Sequence, residues 1–123
     1  YVAGWPGKNV TRFERGAAAP KREVIATGIL TDNLRWMADG SILAGGQDAN
    51  MPAVFQCQAP KCRVGSAAVK IDTKAKTGVR IAEYAGGAGF EGGTTAIEVG
   101  NEIWFGSFKG ERIARIPVSA ASH

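Results

Sequence analysis

The stretch Asp32-Asn33-Leu34-Arg35-Trp36-Met37-Ala38-Asp39-Gly40-Ser41-Ile42-Leu43-Ala44-Gly45 contains a strand, a turn and a second strand in fourteen residues. Apolar side chains recur in both arms, and Asp-Gly-Ser supplies the residues that reverse a chain. Its second arm has echoes. Tyr-Val-Ala-Gly ends at Gly4, Ile-Leu-Ala-Gly at Gly45 and Ile-Trp-Phe-Gly at Gly106, 41 and 61 residues apart. Its first arm has one echo, Thr94-Thr95-Ala96-Ile97-Glu98-Val99, which precedes Ile103.

Each motif ending in glycine leads to a further strand marked by a basic residue before an apolar one: Arg12–Phe13, Lys70–Ile71 and Arg115–Ile116. The middle connection is the longest and carries both cysteines. Ten short strands are expected: 1–5, 10–14, 23–27, 33–37, 42–46, 68–72, 79–84, 95–99, 103–107 and 112–118. No stretch sustains apolar residues at helical spacing. A repeat of about 40 residues with four strands per unit is the signature of propeller blades, each covering a face of the next. The expected fold class is therefore all-β, a partial β-propeller of roughly two and a half four-stranded antiparallel blades. One blade ends within 1–30, a second fills 31–90 with a cysteine-containing loop at 47–67, and the last covers 91–118, leaving a tail at 119–123. Closed propellers have about four to eight blades. The expectation is thus a fragment, a processed product, or a subunit whose open faces need missing blades or other chains.

Composition agrees with a folded domain: 45% of the 123 residues are hydrophobic and 21% charged. The 17 glycines are scattered, as many tight turns require. The net charge of +4 is spread over every loop and strand, with no aromatic-lined basic stripe, so no nucleic-acid partner is expected. No apolar run approaches the ~18–20 residues of a membrane helix, and no membrane span is expected. Cys57 and Cys62 are the only cysteines, and the single histidine is His123. That is too few soft ligands for zinc. A local Cys57–Cys62 disulfide, with an extracellular or periplasmic location, stands against two free thiols.

Gly87-Ala88-Gly89-Phe90-Glu91-Gly92 matches a dinucleotide-binding glycine pattern. That pattern needs a helix after it, and a strand is expected there. With no nucleophile elbow and one terminal histidine, no Ser–His–Asp triad can form. Asp32 and Asn33 are the remaining candidates. They sit where the innermost strand of a blade begins, facing the channel on which successive blades converge. Carboxylate beside amide offers hard oxygens of the kind calcium takes. An Asx turn at strand entry explains the same pair.

The sequence Leu30-Thr31-Asp32-Asn33-Leu34-Arg35-Trp36 followed by Asp39-Gly40-Ser41-Ile42-Leu43-Ala44-Gly45 resembles the late blades of the paraoxonase/arylesterase and gluconolactonase-like, strictosidine-synthase-related six-bladed propellers. Val69–Asp72, Gly92–Val99 and Ile103–Phe108 follow in the same order as in that family, whose C-terminal portion alone is covered. The resemblance implies that Asp32 and Asn33 are metal ligands to Ca2+, and that the activity is hydrolysis of a lactone or ester by a calcium-dependent lactonase or arylesterase. It also places Phe108 and Gln47 at the substrate pocket, Gln47 standing near a position where paraoxonases carry histidine. The family's remaining ligands and its general base come from earlier blades. A non-catalytic propeller segment with a structural or binding role is the alternative, and strictosidine-synthase-like condensation chemistry a third reading.

Overall fold

A computed structural model describes residues 1–58 and 63–118. Over the described residues the chain is all-β, with ten strands in three antiparallel meanders. The first sheet holds β1 (Val2–Gly4), β2 (Asn9–Phe13) and β3 (Arg22–Ala26). The second holds β4 (Leu30–Trp36), β5 (Ile42–Asp48), β6 (Gly65–Asp72) and β7 (Thr77–Tyr84). The third holds β8 (Gly93–Val99), β9 (Glu102–Ser107) and β10 (Ala114–Pro117). All ten expected strands are present within a few residues of the expected bounds. One helix was not expected: α1 (Met51–Phe55), between β5 and β6. Asn50 caps it by accepting from the Ala53 amide at 2.9 Å, and Pro52 lies in its first turn. The expected 119–123 tail and the position of Cys62 lie outside the described residues.

The sheets stack in chain order, and alternation along each strand decides which face goes where. In the first sheet, the row Ala3–Val10–Ile25 is in register, and Val10 and Ile25 pack on Ile42, Ala44, Val69 and Ile71 of the second. The opposite face of the second sheet, with Leu43 and Ala68, packs on Ala96, Ile103 and Phe105 of the third. Strand β4 lies beside β1, and β8 beside β4 and β5. Gly45 is what lets the second and third sheets meet. A Cβ there would sit 2.7 Å from Ala96 N and 2.8 Å from Thr95 C, so any side chain would push backbone from backbone.

The repeat read from the sequence is in phase for two of its three members. Gly45 and Gly106 both face forward along the stack, in the rows Gly45–Ala68 and Thr95–Gly106. Gly4 pairs with Asn9 on the face turned away from the second sheet, and Ala3 occupies the packed row instead. The Tyr-Val-Ala-Gly echo is displaced by one residue, and with a period of two that reverses the face.

The β4–β5 turn shows how short-range chemistry fixes this architecture. The Met37 amide donates to the Ser41 carbonyl at 2.9 Å, Gly40 takes φ +86°, and Asp39 accepts from the Ser41 amide at 2.9 Å and its hydroxyl at 2.5 Å. Lys70 Nζ reaches Asp39 from β6 at 2.7 Å. The hydrogen bond from the Lys70 ammonium, then those from Ser41, hold the Asp39 carboxyl well below its ordinary range. A depressed folded value means that this stabilisation is complete above the unfolded pKa of about 4 and is lost as pH falls through the folded value. Solvent screens this exposed turn, so the effect is small. Urea midpoints measured from pH 7 down to pH 2 are expected to fall more steeply below about pH 4 in the wild type than in Asp39→Asn. Parallel curves would show that the turn carries no such linkage.

Candidate functional site

Antiparallel order brings one set of strand ends together. The N-termini of β4 and β8 and the C-termini of β5 and β9 lie at one end, with the described connecting residues 49–58, 63–64, 85–92 and 108–113. Asp32 sits at this end because β4 is bulged there. Thr31 opposes Gly46 and Asn33 opposes Gly45, which leaves Asp32 outside the ladder. A one-residue bulge of this kind re-aims a side chain. Strand β8 has the same irregularity, with Gly93 opposite Ser107 and Thr95 opposite Gly106, so that Thr94 is the extra residue. The Thr94–Thr95 pair therefore stands in the third sheet where Asp32–Asn33 stands in the second, as their order in the sequence suggested.

The two bulges are in contact. Asn33 Nδ2 donates to the Thr94 carbonyl at 2.8 Å and lies 3.2 Å from Asp32 Oδ1. A carbonyl only accepts, so this contact fixes the amide and turns Asn33 Oδ1 elsewhere. Gln47, at the end of β5, is 1% exposed and reaches three neighbours. It accepts from Trp5 Nε1 at 2.5 Å, and its Nε2 donates to the Gly93 carbonyl at 2.7 Å and to Asp32 Oδ2 at 3.3 Å. Gly93 is held from its other side by its amide, which donates to Ser66 Oγ at 2.7 Å. Asp48, next in sequence, is taken by Arg80, with Nη1–Oδ2 at 2.7 Å and Nη2–Oδ1 at 3.2 Å. Asp32 is thus the carboxylate that this cluster offers.

The other candidates fall around it. Phe108 directly follows β9, two residues after Gly106, as Gln47 stands two residues after Gly45 near the end of β5. It is 51% exposed, with its ring over Gly92 and Lys109 Nζ 5.7 Å from the ring centre. Phe108 is therefore a surface aromatic at this end, whereas Gln47 lies beneath the surface. Cys57 is buried with Leu30, Val54 and Val64, and its carbonyl accepts from Lys109 Nζ. Its expected partner Cys62 is outside the described residues. The glycine pattern at 87–92 forms a tight turn, with Gly87 and Phe90 exchanging two backbone bonds, and it leads into strand β8. No helix receives it, as the strand expectation required.

Sequence reading did not find Trp5, Gly93 or Thr94 as part of this cluster. Trp5 reads as packing, and it does stack edge-on with Phe55 at 5.8 Å. Gly93 and Thr94 act through main-chain carbonyls, which no residue pattern advertises.

The donors gathered here are hard oxygens: the Asp32 carboxylate, the Asn33 amide oxygen and two neighbouring main-chain carbonyls. In kind they suit Ca2+. In number they fall short of its roughly 6–8 ligands, and both carbonyls already accept from amides. Among the described residues no group of three or more His, Cys, Asp or Glu side chains is placed to hold a metal ion. No known family model, curated protein or solved structure matches the chain.

Proposed function

We propose that the three sheets are successive blades of a β-propeller, and that the complete molecule is a calcium-dependent hydrolase of lactones or aryl esters. The observation that carries this reading is the bulge. It leaves one carboxylate outside the ladder of β4, at the end where the connections gather, beside an amide oxygen with no donor on it among the described residues. Asp32 and Asn33 would supply two ligands, and further blades or other chains would supply the rest while covering the open faces. Bound there, calcium would polarise a substrate carbonyl. The chain's own residues orient the carboxylate through Gln47 and border the substrate side with Phe108. In the same reading Cys57 and Cys62 close a local disulfide, and the protein works in an oxidising compartment.

A second reading is a non-catalytic propeller segment with a structural or binding role. It is favoured by Asp32 being the one carboxylate in the cluster. Initial rates on an aryl acetate and on a lactone, in the full-length protein, separate the two. The hydrolase reading expects chelation of calcium, or Asp32→Ala, to lower the rate at least about a hundredfold, the scale set by losing one oxyanion-stabilising group. Hydrolysis equal to buffer in a cooperatively folded protein supports the second reading. Hydrolysis indifferent to calcium rules out the proposed site.

A further inference from the structure

The end of β4 opposite Asp32 borders a cleft of about 200 Å3, lined by Tyr1, Leu34, Arg35, Trp36 and Ile42. Ile42 is buried and Leu34 packs on the core between the first two sheets, so both present anchored apolar surface. The Tyr1 and Trp36 rings meet edge to face at 5.7 Å. Trp36 is 63% exposed, whereas tryptophan is on average highly buried. Strand β4 is an edge strand, and Arg35, next to Trp36, borders the same cleft.

The polar side-chain groups of this lining are the Arg35 guanidinium, the Trp36 indole N–H and the Tyr1 hydroxyl. None of them has a hydrogen-bond or ion-pair partner among the described residues. The first two only donate, and among the described residues no carboxylate lines the cleft. The third sheet shows the same two donor types with a carboxylate within reach. Glu102 accepts from Trp104 Nε1 at 3.0 Å and from Arg115 Nε at 2.9 Å and Nη2 at 3.0 Å. The Arg115 guanidinium lies 5.0 Å from the centre of the Trp104 ring. Hydrogen bonds from Arg115, then from Trp104, hold the Glu102 carboxyl below its ordinary value. At Arg35 and Trp36 the donors are present and the acceptor is not.

We propose that this cleft binds a single-ring aromatic carboxylate, its ring against Trp36 and Tyr1 and its carboxylate taken by Arg35 and the Trp36 indole N–H. The size agrees. A dry cavity of about 150 Å3 holds benzene, and larger ligands occupy about 300 Å3 or more. Aromatic contact and a charge-assisted hydrogen bond then act on one small molecule. The site is separate from Asp32 and needs no metal.

The test follows the indole N–H resonances by two-dimensional NMR at neutral pH while sodium benzoate is added to the protein. Trp36→Phe identifies the Trp36 signal among the three tryptophans. That signal is expected to move and to saturate at millimolar benzoate. Those of Trp5 and Trp104, whose N–H groups are held by Gln47 and Glu102, are expected to stay. Benzyl alcohol keeps the ring without the charge, and sodium acetate the charge without the ring. Each is expected to bind about tenfold more weakly than benzoate, the size of one charge-assisted hydrogen bond or one good ring contact. Arg35→Gln replaces an exposed side chain, so the fold is expected to persist while benzoate binds about tenfold more weakly.

A Trp36 signal unmoved by benzoate at tens of millimolar overturns the proposal, and so does unchanged affinity in folded Arg35→Gln. Benzyl alcohol binding as tightly as benzoate overturns the carboxylate, and acetate binding as tightly overturns the ring. Should Arg35→Gln not fold, those two ligands decide the question in the wild type alone.

Discussion

Replacing Phe105 with alanine is expected to cost about 3–5 kcal/mol, the range for a fully buried phenylalanine. Phe105 is 0% exposed and lies in the row Ala96–Phe105–Ala114 of the third sheet. Both in-register neighbours are alanines, too short to lean into a vacated space. Above it sit Leu43, Ala68 and Ile81 of the second sheet, held at that separation by the backbone contact at Gly45. The site can therefore collapse little, which puts the cost toward the upper end. Against a total stability of about 5–15 kcal/mol this is a large share, and the melting temperature is expected to fall by roughly 10 °C or more. The check is a urea melt of Phe105→Ala beside Phe108→Ala. The first midpoint should drop strongly at similar slope, and the second should stay within about 0.5 kcal/mol of the wild type, as befits an exposed ring. Similar losses in the two would mean that the third sheet is not packed through Phe105.

Why the strands were legible and the site only partly so follows from the same residues. Short β-branched and aromatic runs between glycine, aspartate and asparagine turns locate strands by local chemistry alone, and all ten fell where expected. Helix α1 escaped because five residues are too few to show a period; its signal was the Asn50-Met51-Pro52 cap. The displaced echo at Gly4 shows what spacing cannot decide. A motif fixes the existence of a strand, whereas its face is set by which row finds apolar partners, and Ala3–Val10–Ile25 found them. Asp32–Asn33 was legible as a polar pair at the entry to a strand. The bulge that aims it depends on pairing with β5, and the contacts that hold it come from Trp5, Gln47 and Gly93. The first and last of these are 88 residues apart in the chain. Long-range hydrogen bonds of that kind leave no local trace, least of all when the acceptor is a main-chain carbonyl.

Loss of calcium binding on replacing Asp32 with alanine is the other large effect expected. Amide and carbonyl dipoles bind a divalent cation far more weakly than a formal charge does, and Asp32 supplies the one carboxylate of the cluster. Its removal is expected to weaken calcium at least about a hundredfold, near 2.7 kcal/mol. Asn33→Ala removes an uncharged oxygen and should cost less. Calcium at a hundred times its dissociation constant stabilises the folded state by about 2.7 kcal/mol, so the wild type should melt higher with calcium than with chelator, and Asp32→Ala should not. The most direct measurement is a calorimetric titration of the full-length protein with calcium chloride, in parallel for wild type and Asp32→Ala. Saturable binding in the wild type that disappears in the folded variant is the predicted result. Absence of binding by the wild type, or equal binding by both, would contradict a calcium site at Asp32.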